Sequence, residues 1–318
     1  MRSIRAAGRG SARFNLRLVV VLLFAIAAFA LAACGDDDDG SSSGNGAFGG
    51  GSSLEGTVSI EGSSTVQPFT LELVQEFEDK HSKVTINPAS GLGSGAGISA
   101  FINNDVDIAQ ASRGIKDDEI QQARDAGRDP FEVRIFNDAL AIVVHPGNPV
   151  SELTIEQVAM IFAGEISRWD EVGGSGKITI YARNEESGTF AYMEEDVIRA
   201  TLGDDFDYSS DINKQASAPV GLLAVTGDPD GVFYAGLGNL AEIPDGKVKV
   251  LLIDGAAPNA ETVADGSYPI ARGLFYYTDG DPAAGDNEAI KAFIEFALSP
   301  AGQKIGEGLG FLPVGPTE

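Results

Sequence analysis

One stretch of the sequence brings together the groups that bind a small anion. Arg183–Phe190 (RNEESGTF) follows an apolar run, and the next residues, Phe190–Leu202, have the pattern of a helix. Residues 187–189, Ser-Gly-Thr, therefore lie at a helix N-terminus, where free N–H groups, hydroxyls and the positive end of the helix dipole favour an oxyanion. The alternative is an ordinary helix start, with Ser187 as the N-cap and Arg183 as a surface charge.

Three further junctions between an apolar run and a helical run each place a hydroxyl and free N–H groups at a helix start. They are residues 61–68 (EGSSTVQP), 90–97 (SGLGSGAG) and 110–113 (QASR). Each one alone is most simply a capped turn, but capping does not explain four such junctions, two of them with an arginine. Ligands of α/β folds bind beyond the carboxyl ends of strands, where helices begin. Together the four junctions predict an oxyanion site.

The glycine loop also fits a nucleotide-binding pattern. Gly91, Gly93 and Ala96 match G-x-G-x-x-A after an expected strand. The loop is too rich in glycine for the match to be specific, and no acidic residue ends a second strand at the expected distance. The sequence therefore does not favour a dinucleotide enzyme.

A hydrolase that uses Ser187 or Ser94 is the remaining enzymatic alternative. Such a serine needs a neighbouring base, and the two histidines, His81 and His145, lie outside the donor loops. The single cysteine, Cys34, precedes the globular part, which leaves no Cys nucleophile, disulfide or thiolate zinc site there. The sequence predicts a non-enzyme with no cofactor and no metal.

Apolar runs and amphipathic runs alternate along the chain, which indicates an α/β fold with a mostly parallel sheet. The expected strands are Val58–Ile60, Val84–Ile86, Val106–Ala109, Val133–Phe136, Ala139–Val144, Ile178–Tyr181, Val232–Ala235, Val248–Ile253 and Tyr268–Tyr277. The expected helices are Pro68–Lys80, Gly97–Asn103, Asp117–Ala126, Ile155–Ala163, Phe190–Leu202, Val220–Gly227, Asn287–Leu298 and Ala301–Gly306.

The charge balance narrows the class of partner. The chain has 22 Lys and Arg against 47 Asp and Glu, a formal net charge of −25. A nucleic-acid partner would need a basic face and is not expected. An anionic ligand is still compatible, because exposed charges are screened over about 10 Å at ~0.1 M salt and local donors then decide binding.

The first 53 residues are expected to lie outside the fold. Residues 1–33 combine five arginines, an apolar run from Leu18 to Ala33 and small residues before Cys34. This is the pattern of a secretory signal peptide, and the tripeptide before Cys34 resembles a bacterial lipobox, which implies cleavage there and lipidation of Cys34. Residues 34–53 form an acidic Gly/Ser linker with the composition of a flexible tether.

Several stretches resemble the phosphate-binding proteins of Pst-type phosphate ABC transporters, in order along the chain. The stretches are residues 62–68 (GSSTVQP), 91–95 (GLGSG), 153–169 (LTIEQVAMIFAGEISRW), 183–190 (RNEESGTF), 261–277 (ETVADGSYPIARGLFYY) and 298–314 (LSPAGQKIGEGLGFLPV). The resemblance implies the type II periplasmic-binding fold, in which two α/β lobes joined by two crossing segments close on one ligand. Lobe 1 would be residues 54–139 plus 270–318, and lobe 2 residues 140–269.

The resemblance also implies a set of ligand contacts in this chain. The expected phosphate-binding residues are Ser64, Thr65, Val66, Ser94, Ser112, Arg183, Ser187, Gly188 and Thr189. Arg113, Asp138 and Glu185 are further candidates, with Glu185 matching an acid that holds the arginine in place.

One position departs from the best-known members of that family. They have an aspartate that accepts a hydrogen bond from protonated phosphate, where this chain has Ser112, followed by Arg113. Sulfate carries no proton, so a buried acceptor rejects it. Ser112 can accept less strongly, and Asp138 and Glu61 are alternative acceptors.

The function implied is that of an extracytoplasmic lipoprotein, anchored on the outer face of the cell membrane. It would bind inorganic phosphate as a monomer and deliver it to the membrane permease of an ABC transporter. The alternatives are a binding protein for sulfate, molybdate or tungstate, and a serine-dependent phosphate-ester hydrolase.

Overall fold

The computed structural model describes residues 54–315. The expected signal peptide, the lipidation site Cys34 and the linker lie outside the described residues. No helix within residues 54–315 is long and apolar enough to cross a membrane.

Twelve strands are found in the described part of the chain. They are β1 (Gly56–Gly62), β2 (Val84–Asn87), β3 (Ile108–Ala111), β4 (Pro130–Val144), β5 (Glu152–Leu153), β6 (Thr179–Arg183), β7 (Asn213–Gln215), β8 (Gly231–Gly236), β9 (Lys249–Val250), β10 (Leu252–Ile253), β11 (Ala271–Asp279) and β12 (Leu312–Pro313). Each expected strand region overlaps an observed strand. The two expected strands Val133–Phe136 and Ala139–Val144 join into the single long strand β4.

Eleven α-helices lie between or after these strands. They are α1 (Gln67–Lys80), α2 (Ser94–Ile102), α3 (Asp117–Asp125), α4 (Ile155–Ala163), α5 (Gly188–Tyr192), α6 (Ala200–Leu202), α7 (Ala218–Gly227), α8 (Leu237–Leu240), α9 (Ala260–Ala264), α10 (Glu288–Leu298) and α11 (Pro300–Gly308). A wider π-helical segment, Met193–Arg199, joins α5 to α6, so residues 188–202 form one continuous helical run.

Ten of the strands form one sheet, with the main order β2-β1-β3-β11-β4-β8-β6-β7. The parallel pairs of this sheet lie toward its two ends, β2-β1-β3 and β8-β6-β7. Every pair that includes β4 or β11 is antiparallel. The α/β fold class is confirmed, but the expectation of a mostly parallel sheet is wrong. The reason is that β4 and β11 run side by side in opposite directions through its centre.

The hydrophobic residues pack into separate cores toward the two ends of the central strand β4. One core takes Phe69, Phe77, Phe136 and other residues from 58–136 and 274–311. The largest other core takes Phe162, Trp169 and Tyr234 among residues 139–270. The two-lobe division stays a prediction, and these cores fall on either side of its boundaries.

Helix α2 begins at Ser94, three residues before its expected start at Gly97. The glycines there indicated a loop, but Gly97 packs directly on the first strand. A Cβ atom at Gly97 would lie 2.4 Å from the Cα of Gly62 and 2.5 Å from the carbonyl oxygen of Glu61. Glycine therefore serves close helix–strand packing, and Ser94 is placed in the first helical turn.

Candidate functional site

Four hydroxyl groups that are far apart in the sequence meet beyond the ends of β1, β3 and β6. The Oγ of Ser94 is 3.3 Å from that of Ser112, and the Oγ1 of Thr189 is 3.5 Å from Ser112 Oγ and 3.4 Å from Thr65 Oγ1. All four residues are at most 3% exposed. These separations exceed the ~2.7–2.8 Å typical of a good O–H···O bond. The four hydroxyls are therefore neighbours that do not fully satisfy one another.

The helix start predicted at residues 187–189 is confirmed and borders this cluster. Ser187 is the N-cap of α5, and its Oγ accepts hydrogen bonds from the N–H groups of Thr189 at 3.2 Å and Phe190 at 3.4 Å. Gly188 lies close to two hydroxyls of the cluster, those of Ser94 and Ser112. A Cβ atom there would lie 2.3 Å from Ser94 Oγ and 2.9 Å from Ser112 Oγ. A side chain at this position would therefore clash with the hydroxyls of the cluster.

Arg183 ends strand β6 with a buried guanidinium group. The residue is 2% exposed; its Nη2 donates to Ser64 Oγ and to the carbonyl oxygen of Ala216, both at 3.1 Å. Its Nε is buried and has no hydrogen-bond partner among the described residues. Burial lowers the pKa of Arg183 to about 10, and the nearby charge of Arg272 contributes in the same direction. The group stays cationic at neutral pH, and its Nε donor is unused.

A second buried arginine, Arg272, was not among the expected site residues. Its Nη1 donates to Thr189 Oγ1 at 2.9 Å and to the carbonyl oxygen of Ser112 at 3.0 Å. It lies inside strand β11, between Ala271 and Gly273, and not at the start of a helix, where a binding loop would be expected. The available signal was Arg272 itself, the lone cation in the largely apolar run Tyr268–Tyr277. A charge that is buried in such a run requires partners.

Asp138 is the partner of Arg272. One carboxylate oxygen accepts from Arg272 Nε at 3.1 Å and Nη2 at 2.9 Å, and the other accepts from the N–H of Leu237 at 3.0 Å. Complete burial raises the pKa of Asp138, while Arg272 acts in the opposite direction. Both oxygens of Asp138, which was considered as an acceptor for phosphate, are thus engaged by N–H donors.

Two other expected residues, Arg113 and Glu185, are engaged by charges outside the hydroxyl cluster. Arg113 forms a two-pronged ion pair with Glu119, at 2.7 and 2.6 Å. Glu185, expected to hold Arg183, is largely exposed and pairs with Lys214 instead. Their positions next to the donor loops made them candidates, but each has a nearer opposite charge.

Glu61, considered as an acceptor, supports the glycine loop. Its carboxylate accepts from the Ser90 hydroxyl at 2.5 Å, from the Gly62 N–H at 2.8 Å and from the N–H groups of Gly91 and Leu92. Burial opposes its ionisation, but these bonds outweigh burial and lower the pKa of Glu61. The residue therefore shapes the loop that carries Ser94.

The two histidines are remote from this arrangement. His81 is the C-cap of α1 and packs on Phe77, and the Nδ1 of His145 accepts from the N–H of Gly147. Neither histidine is hydrogen-bonded to Ser94 or Ser187 in the described part of the chain. The geometry thus gives no support to an activated serine nucleophile.

Residues of the predicted lobes 1 and 2 also touch outside the cluster. The N–H of Gly95 donates to the carbonyl oxygen of Glu186 at 3.2 Å, and Lys116 forms an ion pair with Glu195 at 2.5 Å. The first contact places the glycine loop against the start of α5, and the second joins the N-cap of α3 to the π-helical segment. The arrangement can bind a small tetrahedral anion through hydroxyls, N–H groups and two guanidinium ions.

Known proteins that are similar to this chain are named as phosphate-binding proteins. The family model described as a PBP superfamily domain matches residues 49–301. The phosphate-binding protein PstS of Staphylococcus aureus is 32% identical over 286 residues, which covers 87% of this chain and 82% of that protein. The corresponding protein of Staphylococcus epidermidis is 32% identical over 290 residues, 89% of this chain and 84% of that protein.

Solved structures show the same fold. A Clostridium perfringens protein, described as a phosphate ABC transporter substrate-binding protein with bound phosphate, has a TM-score of 0.70 and 29% identity and covers 82% of this chain and 100% of its own. An ABC-type phosphate transport receptor from Vibrio cholerae has a TM-score of 0.66 and 28% identity and covers 80% and 99%. The chain belongs to the PBP superfamily and, within it, to the family of the phosphate-binding proteins PstS.

Proposed function

We propose that this chain binds inorganic phosphate between two lobes and delivers it to the permease of a phosphate ABC transporter. Ligand binding would stabilise the closed arrangement of the lobes, which the permease recognises. The protein performs no chemistry in this role. It acts outside the cytoplasm as a monomeric lipoprotein held at the membrane through Cys34.

The proposed contacts are hydroxyls, backbone N–H groups and one guanidinium ion. They come from Ser64, Thr65, Val66, Ser94, Ser112, Arg183, Ser187, Gly188 and Thr189. Arg113 and Glu185, each paired with a nearer charge, are left out of the proposed contacts.

The observation that carries this proposal is the buried, incompletely paired guanidinium of Arg183 beside the hydroxyl cluster. A buried charge without full compensation is costly. An oxyanion at the cluster would supply the missing charge and an acceptor for Nε. The names of the relatives indicate phosphate as that anion.

Isothermal titration calorimetry of Arg183→Ala with phosphate tests the proposal. We expect one phosphate per wild-type chain and a loss of about 2–5 kcal/mol of binding free energy in the variant, because charge-assisted bonds in a closed site are removed. Arg124→Ala is the control for the loss of an arginine, because Arg124 is exposed and its Nε pairs with Oδ1 of Asp129 at 3.6 Å. An unchanged dissociation constant in Arg183→Ala would rule out the site.

The alternative ligands are tested by competition in the same experiment. Sulfate, molybdate and tungstate are added to the wild-type protein before phosphate at pH ~7, where HPO₄²⁻ still carries a proton to donate. The proposal predicts that phosphate binds most tightly. Sulfate competing as well as phosphate would instead favour a general oxyanion-binding protein.

A further inference from the structure

The pair formed by Asp138 and Arg272 is built into the centre of the sheet. The two residues lie opposite each other in the register of β4 and β11. Their side chains are 0% and 2% exposed. An ion pair buried to this extent repays its desolvation cost only partly, and an apolar pair of similar volume is often as stable. Stability alone therefore does not account for its position at the hydroxyl cluster.

Arg272 connects this pair to two of the loops around the cluster. Through Nη1 it reaches the carbonyl oxygen of Ser112, at the end of β3, and the hydroxyl of Thr189, in the first turn of α5. Asp138 holds the opposite edge of the guanidinium group through Nε and Nη2. The planar, five-donor geometry of arginine makes these contacts possible at the same time.

The contact with Thr189 sets the direction of its hydroxyl proton. Because arginine has no acceptor, Thr189 Oγ1 must accept the Arg272 bond, and its own proton points elsewhere. Ser94 Oγ likewise accepts from the N–H of Ser112, and Ser64 Oγ accepts from Arg183. Each of these hydroxyls is left as a donor for an anion.

We propose that Arg272, held in place by Asp138, is a second cationic determinant of anion binding that acts by orienting the Thr189 hydroxyl and adding positive charge. Asp138 is a positioning residue for Arg272 and does not accept the proton of phosphate. This inference rests on the proposed function, since it assigns further residues to the same site. It predicts that the pair strengthens binding of tetrahedral oxyanions without distinguishing protonated from unprotonated ones.

The experiment measures phosphate and sulfate affinity by calorimetry and competition in the full chain. Removing Arg272 alone leaves Asp138 buried without its partner, so the main variant is the double substitution Asp138→Asn with Arg272→Gln, which keeps a neutral hydrogen-bonded pair. We expect it to bind phosphate at least about tenfold more weakly while melting cooperatively. Arg128→Gln, at another buried arginine beside Asp279, is the control and should leave phosphate affinity unchanged.

A double-mutant cycle separates orientation from simple packing. Thr189→Val removes the hydroxyl, and the triple variant combines it with Asp138→Asn and Arg272→Gln. If Arg272 acts through this hydroxyl, the fold-loss of phosphate affinity in the triple variant is smaller than the product of the two separate fold-losses by at least about threefold. Losses that multiply would overturn the orienting role. A merely structural contribution would lower the melting temperature without this coupling.

The single variant Asp138→Asn tests the acceptor role directly. We expect the ratio of phosphate to sulfate affinity to stay within about threefold of the wild-type ratio. A fall in that ratio, with sulfate competing better than before, would show that Asp138 accepts the phosphate proton and overturn the inference. A wild-type chain that binds neither anion would overturn the proposed function itself, whereas wild-type binding that persists in the double variant overturns only the role of the pair.

Discussion

At the scale of single residues, the site depends on hydroxyls whose oxygen already accepts an N–H bond. A serine or threonine hydroxyl has one proton to donate, and the fixed donors beside Ser64, Ser94, Ser187 and Thr189 leave that proton for a ligand. Preorganised donors of this kind do not need to be reoriented when the anion binds. The cluster is therefore complementary to an oxygen-rich anion before one arrives.

Gly188→Ala should abolish this complementarity while adding only one methyl group. The new Cβ would lie 2.3 Å from Ser94 Oγ, so the hydroxyls must move apart, at a cost of about 1–3 kcal/mol for an overpacked site. We expect phosphate affinity, measured by calorimetry, to fall at least about tenfold. Gly227→Ala is the control, because a Cβ there meets nothing within 4 Å. Equal affinities of the two variants would contradict the placement of Gly188.

Sequence reasoning located most of these residues but missed Arg272 and misplaced the partners of others. The hydroxyls stand at junctions whose glycines and caps are visible in the sequence. Arg272 stands within a strand, and its role depends on the register of β11 against β4, which no local pattern specifies. The partners of Arg113 and Glu185 depend on which opposite charge is nearest after folding.

At the scale of elements, three helix starts contribute to the site, although β6 runs antiparallel to β1 and β2 in the sheet. Helices α1, α2 and α5 begin beyond β1, β2 and β6, with Val66, Gly93 and Ser187 at their N-cap positions. The alternation of strands and helices predicted helix starts at the site. The two central strands were harder to predict, since apolar runs do not reveal whether neighbours pair parallel or antiparallel.

Ser187→Ala should affect both the helix and the ligand. Loss of the N-cap bonds to Thr189 and Phe190 should lower the free energy of unfolding by ~1 kcal/mol, as is typical of N-cap serines. Ser217→Ala is matched, because Ser217 caps α7 by accepting from the N–H of Val220. Urea unfolding should show a similar loss in both variants, but only Ser187→Ala should weaken phosphate binding. A phosphate affinity unchanged in Ser187→Ala would remove this hydroxyl from the site.

At the scale of the whole molecule, a strongly acidic chain is proposed to bind an anion. The formal net charge is −25, yet the cluster contains two buried guanidinium ions against one buried carboxylate, Asp138. Short-range bonds in a buried site are screened far less than charges on the surface. The local arrangement of donors, rather than the overall charge, is therefore expected to decide affinity.

A crystal structure of the protein grown with phosphate tests the central claim most directly. The account predicts one phosphate ion enclosed by the hydroxyls of Ser94, Ser112 and Thr189, with the guanidinium groups of Arg183 and Arg272 on either side of it. Phosphate oxygens should lie about 2.7–2.9 Å from the guanidinium nitrogens of Arg183 and about 2.5–2.7 Å from the hydroxyl oxygens, as is typical of charge-assisted hydrogen bonds. Phosphate bound elsewhere, with this cluster unchanged and in contact only with protein, would contradict the account.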